Sequence, residues 1–102
     1  MKNMNEIMEI LRSYISDLEE LGVKRIGVFG SYVHGEPDVE SDIDILLEFQ
    51  EGYETFENLF NIHEILSDKL QMDIDLVTVD GLSPYIGPHI LREVIFVDKA
   101  SA

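Results

Sequence analysis

Aspartates stand at the start of two short apolar segments, and their spacing could support metal-dependent chemistry. Asp42 and Asp44 open residues 41–49, "SDIDILLEF", and Asp73 and Asp75 open a second segment, "DIDLVTV". Residues two apart on a strand share a face with Cα atoms about 6.5–7 Å apart, so Asp42 and Asp44 should present neighbouring carboxylates. Because such charges repel, a carboxylate from the second segment would force a raised pKa or the uptake of a cation. Rigid oxygen ligands suit Mg²⁺ completed by substrate phosphates, and two ions could clamp a phosphoryl-type displacement.

Gly30 and Ser31 follow another apolar segment and could supply the phosphate-binding half of the site. Gly30 has no Cβ to keep a ligand from the backbone, and Ser31 is predicted to cap a short helix after it. Backbone N–H groups at the start of that helix would meet phosphate oxygens. Each half has a simpler interpretation alone, since a Gly-Ser pair is usually a turn and aspartates at a strand start usually lie on a solvated edge. Together the two halves favour a metal and phosphate site.

Helices and strands must position these residues, and the apolar periodicity predicts an alternation of both. The predicted elements are a helix over 4–21 ended by Gly22, strands over 24–29 and 41–49, a helix over 55–70, a strand over 73–79, a short helix from Pro88 to Arg92 and a last strand over 94–97. On the second strand, Ile43, Ile45, Leu47 and Phe49 face one way, and Asp42, Asp44, Leu46 and Glu48 the other. The pattern predicts one α/β (α+β) domain over residues 1–102, a small mixed sheet flanked by helices.

The composition limits the classes of partner. The chain has 21 acidic and 7 basic residues and a formal net charge of −14. Long nucleic acid is therefore not an expected partner, because phosphate neutralisation needs a basic surface, whereas a basic protein or a metal ion suits this charge. No apolar run reaches the length of a membrane span, and the chain has no cysteine for disulfides or thiolate metal sites. We expect a soluble, cytoplasmic protein.

The motifs resemble those of a known superfamily. Gly30-Ser31, ten intervening residues and then Asp42-Ile43-Asp44, followed by a third acidic strand, is similar to the signature of the DNA polymerase beta-like nucleotidyltransferases. The small size, "FGSY" before "SDIDILLEF", and the ending "YIGPHILREVIFV" resemble in particular the minimal nucleotidyltransferases, the MNT antitoxins paired with HEPN toxins. The similarity runs from residue 4 to about residue 98.

The resemblance implies roles for individual residues. Asp42 and Asp44 would bind the catalytic Mg²⁺ ions together with Asp75, and Gly30 with Ser31 would hold the terminal phosphates of ATP. Asp75, directly before Leu76-Val77, would help to activate the attacking hydroxyl, with Asp73 as the alternative third carboxylate. AMP would pass from ATP to a hydroxyl with release of pyrophosphate, and in HEPN-paired members the acceptor is a tyrosine of the toxin.

One departure from the family pattern concerns the phosphate loop. This chain has Tyr32 and His34 where family members often carry arginine. His34 is the candidate phosphate contact, although histidine is a weaker phosphate clamp than the permanently charged arginine. Two further functions therefore stay open: an antitoxin that neutralises a basic partner by binding alone, and a small-molecule nucleotidyltransferase. The second would need an acceptor pocket from another chain. A homodimer is also compatible with the sequence.

Other polar residues have structural interpretations. His63 lies on the apolar stripe of its helix and is expected to be packed, and His89 in the first turn of the short helix is expected to be structural, so neither is expected to bind a ligand. Glu48 is expected on the solvated surface. The acidic residues expected to be exposed charge near or on the second long helix are Glu54, Glu57, Glu64 and Asp68.

Overall fold

A computed structural model describes residues 2–35 and 42–98. The helices are α1 Met4–Ser13, α2 Ile15–Glu20, α3 Phe56–Leu70 and α4 Gly87–Glu93, and the strands are β1 Val23–Phe29, β2 Ile43–Phe49, β3 Ile74–Thr78 and β4 Ile95–Phe96. Short 3₁₀ turns follow β1 at Gly30–Tyr32 and β3 at Val79–Gly81. Asp42 directly precedes β2, while the predicted first residue of that strand, at position 41, lies outside the described residues.

The four strands form one mixed sheet in the order β3-β2-β1-β4. Strand β2 pairs antiparallel with β1 and parallel with β3, and β4 pairs antiparallel with β1. The predicted fold class, a small mixed sheet flanked by helices, is therefore confirmed. The parallel pair matters most for function, because it places the starts of β2 and β3, where the aspartates stand, at the same edge of the sheet.

The hydrophobic core lies between one face of the sheet and the long helices. Its fully buried members include Ile7 and Leu11 of α1, Leu18 of α2, Val28 of β1, Ile43, Ile45 and Leu47 of β2, and Ile62, Leu66 and Leu70 of α3. The predicted alternation of β2 is thus confirmed on its apolar face, and Phe49 packs against the same core. Leu46, on the face of Asp44, is also buried with 1% exposure. On the face that carries the aspartates, the strand is therefore buried at Leu46, two residues after Asp44.

The first predicted helix is wrong as a continuous element over residues 4–21. It breaks at Tyr14, whose backbone lies at φ −106° and ψ 3°. In an unbroken helix the Ile10 carbonyl would accept from the Tyr14 N–H, but the Ser13 hydroxyl donates to that carbonyl at 2.6 Å and the Tyr14 N–H bonds to Leu11 O at 3.1 Å. Serine side chains compete for helical carbonyls in this way, and the apolar periodicity of the sequence does not reveal it.

The other boundaries agree closely with the prediction. Thr55 caps α3 by accepting from the Asn58 N–H at 3.1 Å, Pro88 lies in the first turn of α4, and Gly22 ends the first helical region with φ +88°. The last strand is two residues long where four were predicted. Within residues 2–35 and 42–98, no helix is both long and apolar enough to cross a bilayer.

Glu48 differs from its predicted place on the solvated surface. Its carboxylate pairs with the Arg25 guanidinium, with 2.6 Å between Oε1 and Nε, and its side chain is 25% exposed. The same guanidinium lies over the ring of Phe96, 4.2 Å from its centre. Cross-strand neighbours therefore hold Glu48 in a partly buried ion pair, away from the metal chemistry considered for Asp44.

Candidate active site

Asp44 and Asp75 are direct neighbours across the parallel strands β2 and β3. Paired residues of adjacent strands point to the same face of a sheet, and neighbouring strands are about 4.8 Å apart. Asp42 lies two residues before Asp44, directly before β2, and its side chain is exposed. The structure therefore places Asp75 directly beside Asp44, and the charges of both Asp75 and Asp42 reach the Asp44 carboxyl.

The electrostatics of the cluster centre on Asp44. Burial raises the pKa of its carboxyl above the usual 3.8, and the negative charges of Asp75, Asp42 and Glu93 raise it further. Asp75 pairs directly with Asp44 across the strands, whereas Asp73 precedes β3 and its carbonyl accepts from the Ile43 N–H at 3.1 Å. This difference favours Asp75 over Asp73 as the third carboxylate.

Gly30 lies against the Asp44 carboxylate. Its φ is +81°, a left-handed conformation that favours glycine, and a Cβ built at this position would overlap Asp44 Oδ2. Two independent reasons therefore favour glycine here: the left-handed backbone conformation, and the Asp44 carboxylate that fills the place of a Cβ. The end of β1 and the start of β2, which the sequence assigned to phosphate and metal respectively, form one continuous surface.

Ser31 does not cap a helix, and that prediction is wrong. Ser31 is the second residue of the 3₁₀ turn, Phe29 holds the cap position, and the turn has no side-chain cap. The turn begins at Gly30, whose carbonyl accepts from the N–H groups of Val33 at 3.0 Å and His34 at 3.2 Å. The partly buried Ser31 therefore stays in the loop beside Gly30 without the predicted capping role.

Glu93 is a site residue that the sequence reasoning missed. Its Oε2 accepts from the Gly30 N–H at 2.8 Å and lies 3.1 Å from His34 Nε2. Glu93 ends α4 and stands 63 positions from Gly30 in the chain. Only the pairing of the last strand with β1 could have revealed it. Val28 pairs with Ile95 in that antiparallel pair, so Glu93 and Gly30, each two residues away, lie just beyond the same end of it.

The remaining loop residues and histidines differ in exposure and in the groups that they contact. Tyr32 is buried in the core at 4% exposure, whereas the His34 side chain is 60% exposed. His63 is partly buried on α3 with its Nδ1 3.5 Å from Ser67 Oγ, and His89 is exposed on α4 with its Nδ1 3.5 Å from an Arg92 nitrogen. Of the three histidines, His34 is the one that contacts Glu93 beside the phosphate loop.

The carboxylates fit a magnesium ion that is shared with a substrate. Among residues 2–35 and 42–98, no three His, Asp or Glu side chains are arranged to ligate a single ion. Mg²⁺ rarely uses an all-protein cage, and one or two carboxylates with substrate phosphates are its usual ligands. Asp44 and a neighbouring aspartate supply such a set. Their mutual repulsion, visible in the raised pKa of Asp44, is relieved when a cation binds.

Comparison with known proteins identifies relatives along nearly the whole chain. The profile of the family described as "Nucleotidyltransferase domain" matches residues 8–97. The protein adenylyltransferase MntA of Thermococcus cleftensis is 40% identical over 98 residues, which cover 95% of this chain and 98% of that protein.

Solved structures share the fold. One that is provisionally classed as a minimal nucleotidyltransferase has a TM-score of 0.71 and 33% identity, and covers 86% of this chain and 93% of its own. A chain in the structure of a tri-AMPylated Shewanella oneidensis HEPN toxin in complex with MNT antitoxin has a TM-score of 0.63 and 19% identity, covering 91% of this chain and 73% of its own.

Replacing Gly30 with alanine should lower the free energy of unfolding by more than the cost of placing a non-glycine residue at its positive φ. A non-glycine residue held at such a φ costs about 1–3 kcal/mol. Gly52→Ala is the matched control, because Gly52 has φ +86° and open space around a built Cβ. We expect denaturant unfolding to show a loss for both variants and a larger loss for Gly30→Ala, whose Cβ must displace the Asp44 carboxylate. Equal losses would contradict the close approach of Gly30 and Asp44.

Replacing Asp44 with asparagine should stabilise the metal-free protein, and increasingly so as the pH rises. The folded state holds the Asp44 proton to a higher pH than the unfolded state does, so this carboxyl costs stability as the pH rises from 3.8 through its raised pKa. Melting temperatures measured in chelator should show the gain at neutral pH and lose it in acid. Asp73→Asn is the control for removal of one charge. A gain that is independent of pH, or equal for the two variants, would contradict the coupling of Asp44 to its neighbours.

Proposed function

Because the chain belongs to the nucleotidyltransferase domain family, we propose that it is an antitoxin that transfers AMP from ATP to a hydroxyl of a partner protein. The observation that carries the proposal is the contact surface between Gly30 and Asp44. It joins a backbone that can approach phosphates to carboxylates that can share a cation with them. The protein adenylyltransferase named among its relatives is similar over 95% of this chain, which supports AMP as the transferred group.

Each site residue has a role in this reaction. The Gly30 N–H and the Ser31 hydroxyl bind the terminal phosphates, and His34 adds a donor at the open side of the loop. Asp42 and Asp44, with Asp75 beside Asp44, would hold Mg²⁺, which would neutralise charge on the phosphates. Asp75 accepts the proton of the attacking hydroxyl at a carboxylate oxygen. The hydroxyl oxygen bonds to the α-phosphorus, the bond from that phosphorus to the bridging oxygen breaks, and pyrophosphate leaves.

A protein acceptor suits this site better than a small molecule. A cavity of about 250 Å³ lies between α2, β1 and residues 96–98, and none of the three aspartates lines it. Asp42 and Asp75 are exposed instead. This exposure supports an acceptor that lies on the surface of another protein. The formal net charge of −14 favours a basic partner.

We infer that the partner is a HEPN-type toxin and that the acceptor is one of its tyrosines. The fold is shared with a chain in the complex of an AMPylated HEPN toxin with MNT antitoxin, which supports this class of partner. Neutralisation by binding alone is the second candidate, because His34 replaces the arginine that is frequent in the family and its side chain already engages Glu93. In that case the aspartates would be dispensable for neutralisation.

Transfer of label from ATP tests the enzyme and its third carboxylate together. The chain is incubated with ATP labelled at the α-phosphate, Mg²⁺ and a HEPN-type toxin protein, and label is sought on tyrosine. Asp75→Asn should lower the rate about 10²–10⁴-fold through loss of a general base, and Asp73→Asn should leave it near wild type. The double variant Asp42→Asn/Asp44→Asn should be inactive.

The controls separate the two candidate functions. If the double variant still protects cells from the co-expressed partner as well as the wild type does, neutralisation by binding replaces transfer as the function. If Asp73→Asn and not Asp75→Asn abolishes labelling, the assignment of the third carboxylate is reversed. Glu57→Gln, which removes an exposed charge on α3, should label the partner normally.

A further inference from the structure

The Glu93 carboxylate engages the groups of the loop that the proposed function assigns to phosphate. The same atom, Oε2, accepts from the Gly30 N–H at 2.8 Å and lies 3.1 Å from His34 Nε2. His34 can donate there either as a cation or as a neutral tautomer. We propose that Glu93 occupies the position of a nucleotide phosphate oxygen, and that a triphosphate must displace it to bind.

The pairing of β4 with β1 brings the end of α4, where Glu93 lies, close to the loop. Strand β4 pairs antiparallel with β1 through Gly27 and Phe96 and through Val28 and Ile95. Glu93 comes two residues before Ile95 and Gly30 two residues after Val28, so both lie just beyond the same end of this pairing. The Val94 N–H bonds to Ile90 O at 2.9 Å and joins the end of α4 to β4. The carboxylate therefore reaches the loop from backbone that the sheet positions and not from a free chain end.

Displacement needs only a side-chain movement. The Glu93 side chain is 25% exposed, so rotation about its own bonds can carry the carboxylate into solvent while α4 stays in place. Its charge also acts on Asp44, which shows that it lies within electrostatic reach of the aspartate cluster. While the carboxylate remains at Gly30, it withholds an N–H donor from an arriving phosphate and repels its charge. Glu93 therefore lowers the affinity of the site for phosphate-bearing ligands.

This inference rests on the proposed function and assigns Glu93 the control of nucleotide affinity. The test compares the binding of ATP and of pyrophosphate, each with Mg²⁺, by titration calorimetry. Glu93→Gln keeps the shape of the side chain and removes its charge, and Glu93→Ala removes the carboxyl group. Glu48→Gln is the matched control, since Glu48 is also 25% exposed and ion-paired, and its replacement changes the net charge equally.

The expected result is that Glu93→Gln binds both ligands about 10- to 100-fold more tightly than wild type, the range for loss of a competing charged hydrogen bond. Glu93→Ala should bind at least as tightly as Glu93→Gln, and Glu48→Gln should stay near wild type. In wild type, the Gly30 amide NMR signal should shift on ATP addition, because the N–H exchanges a carboxylate for a phosphate.

Two failures are distinguishable. If wild type binds and neither Glu93 variant binds more tightly than Glu48→Gln, Glu93 does not compete with phosphate and the inference is overturned while the proposed function stands. Weaker binding by both Glu93 variants would also overturn it, by showing that Glu93 supports the loop. If no variant and no wild type binds either ligand, the proposed function fails and the inference fails with it.

Discussion

The parallel pairing of Asp44 with Asp75, beside a glycine that leaves room for the Asp44 carboxylate, is the constraint on which the site depends. Two like charges on adjacent strands repel, and partial burial makes the charge on Asp44 more costly. The core offsets this cost, since Ile43, Ile45 and Leu47 alternate with the acidic positions and are fully buried. Burial of the apolar face of β2 therefore stabilises the strand even though the carboxylates on its other face repel one another. Such a cluster is well suited to receive a cation with its phosphates.

Two forms of local negative charge act on the same loop. In the proposed function the aspartates attract a cation toward the start of β2, whereas Glu93 accepts from the Gly30 N–H that we assign to phosphate. The first favours a metal-bound nucleotide and the second opposes any anion. Together they favour a ligand that brings its own positive charge, as a magnesium-bound triphosphate does, over free phosphate.

Local patterns predicted most of the fold. The alternation in β2, the apolar stripe of α3 and the turn residues Gly22 and Pro88 each report short-range physics, and their elements were predicted within a few residues. The helix break at Tyr14 was not predicted because a side-chain hydrogen bond from Ser13 takes a helical carbonyl there. The capping role of Ser31 was wrong because the tight turn begins one residue earlier, at Gly30. Hydrophobic periodicity reveals neither feature. Glu93 was missed since its place depends on the register of β4 against β1, a contact distant in sequence. The grouping of Gly30, Asp42, Asp44 and Asp75 was predicted because two neighbouring strands begin with the same acidic pattern and the family resemblance joins them to the loop.

We propose that Asp44 and its neighbours, and not the many other acids of the chain, bind the divalent ion. Paramagnetic Mn²⁺ in place of Mg²⁺ tests it directly, since carboxylate sites accept both ions and Mn²⁺ broadens nearby amide NMR signals. Titration with Mn²⁺ well below one equivalent should broaden the Gly30, Asp44 and Asp75 amides first, and Asp44→Asn should abolish this effect. Even broadening along the exposed acids of α3, or the same pattern in Asp44→Asn, would contradict the account.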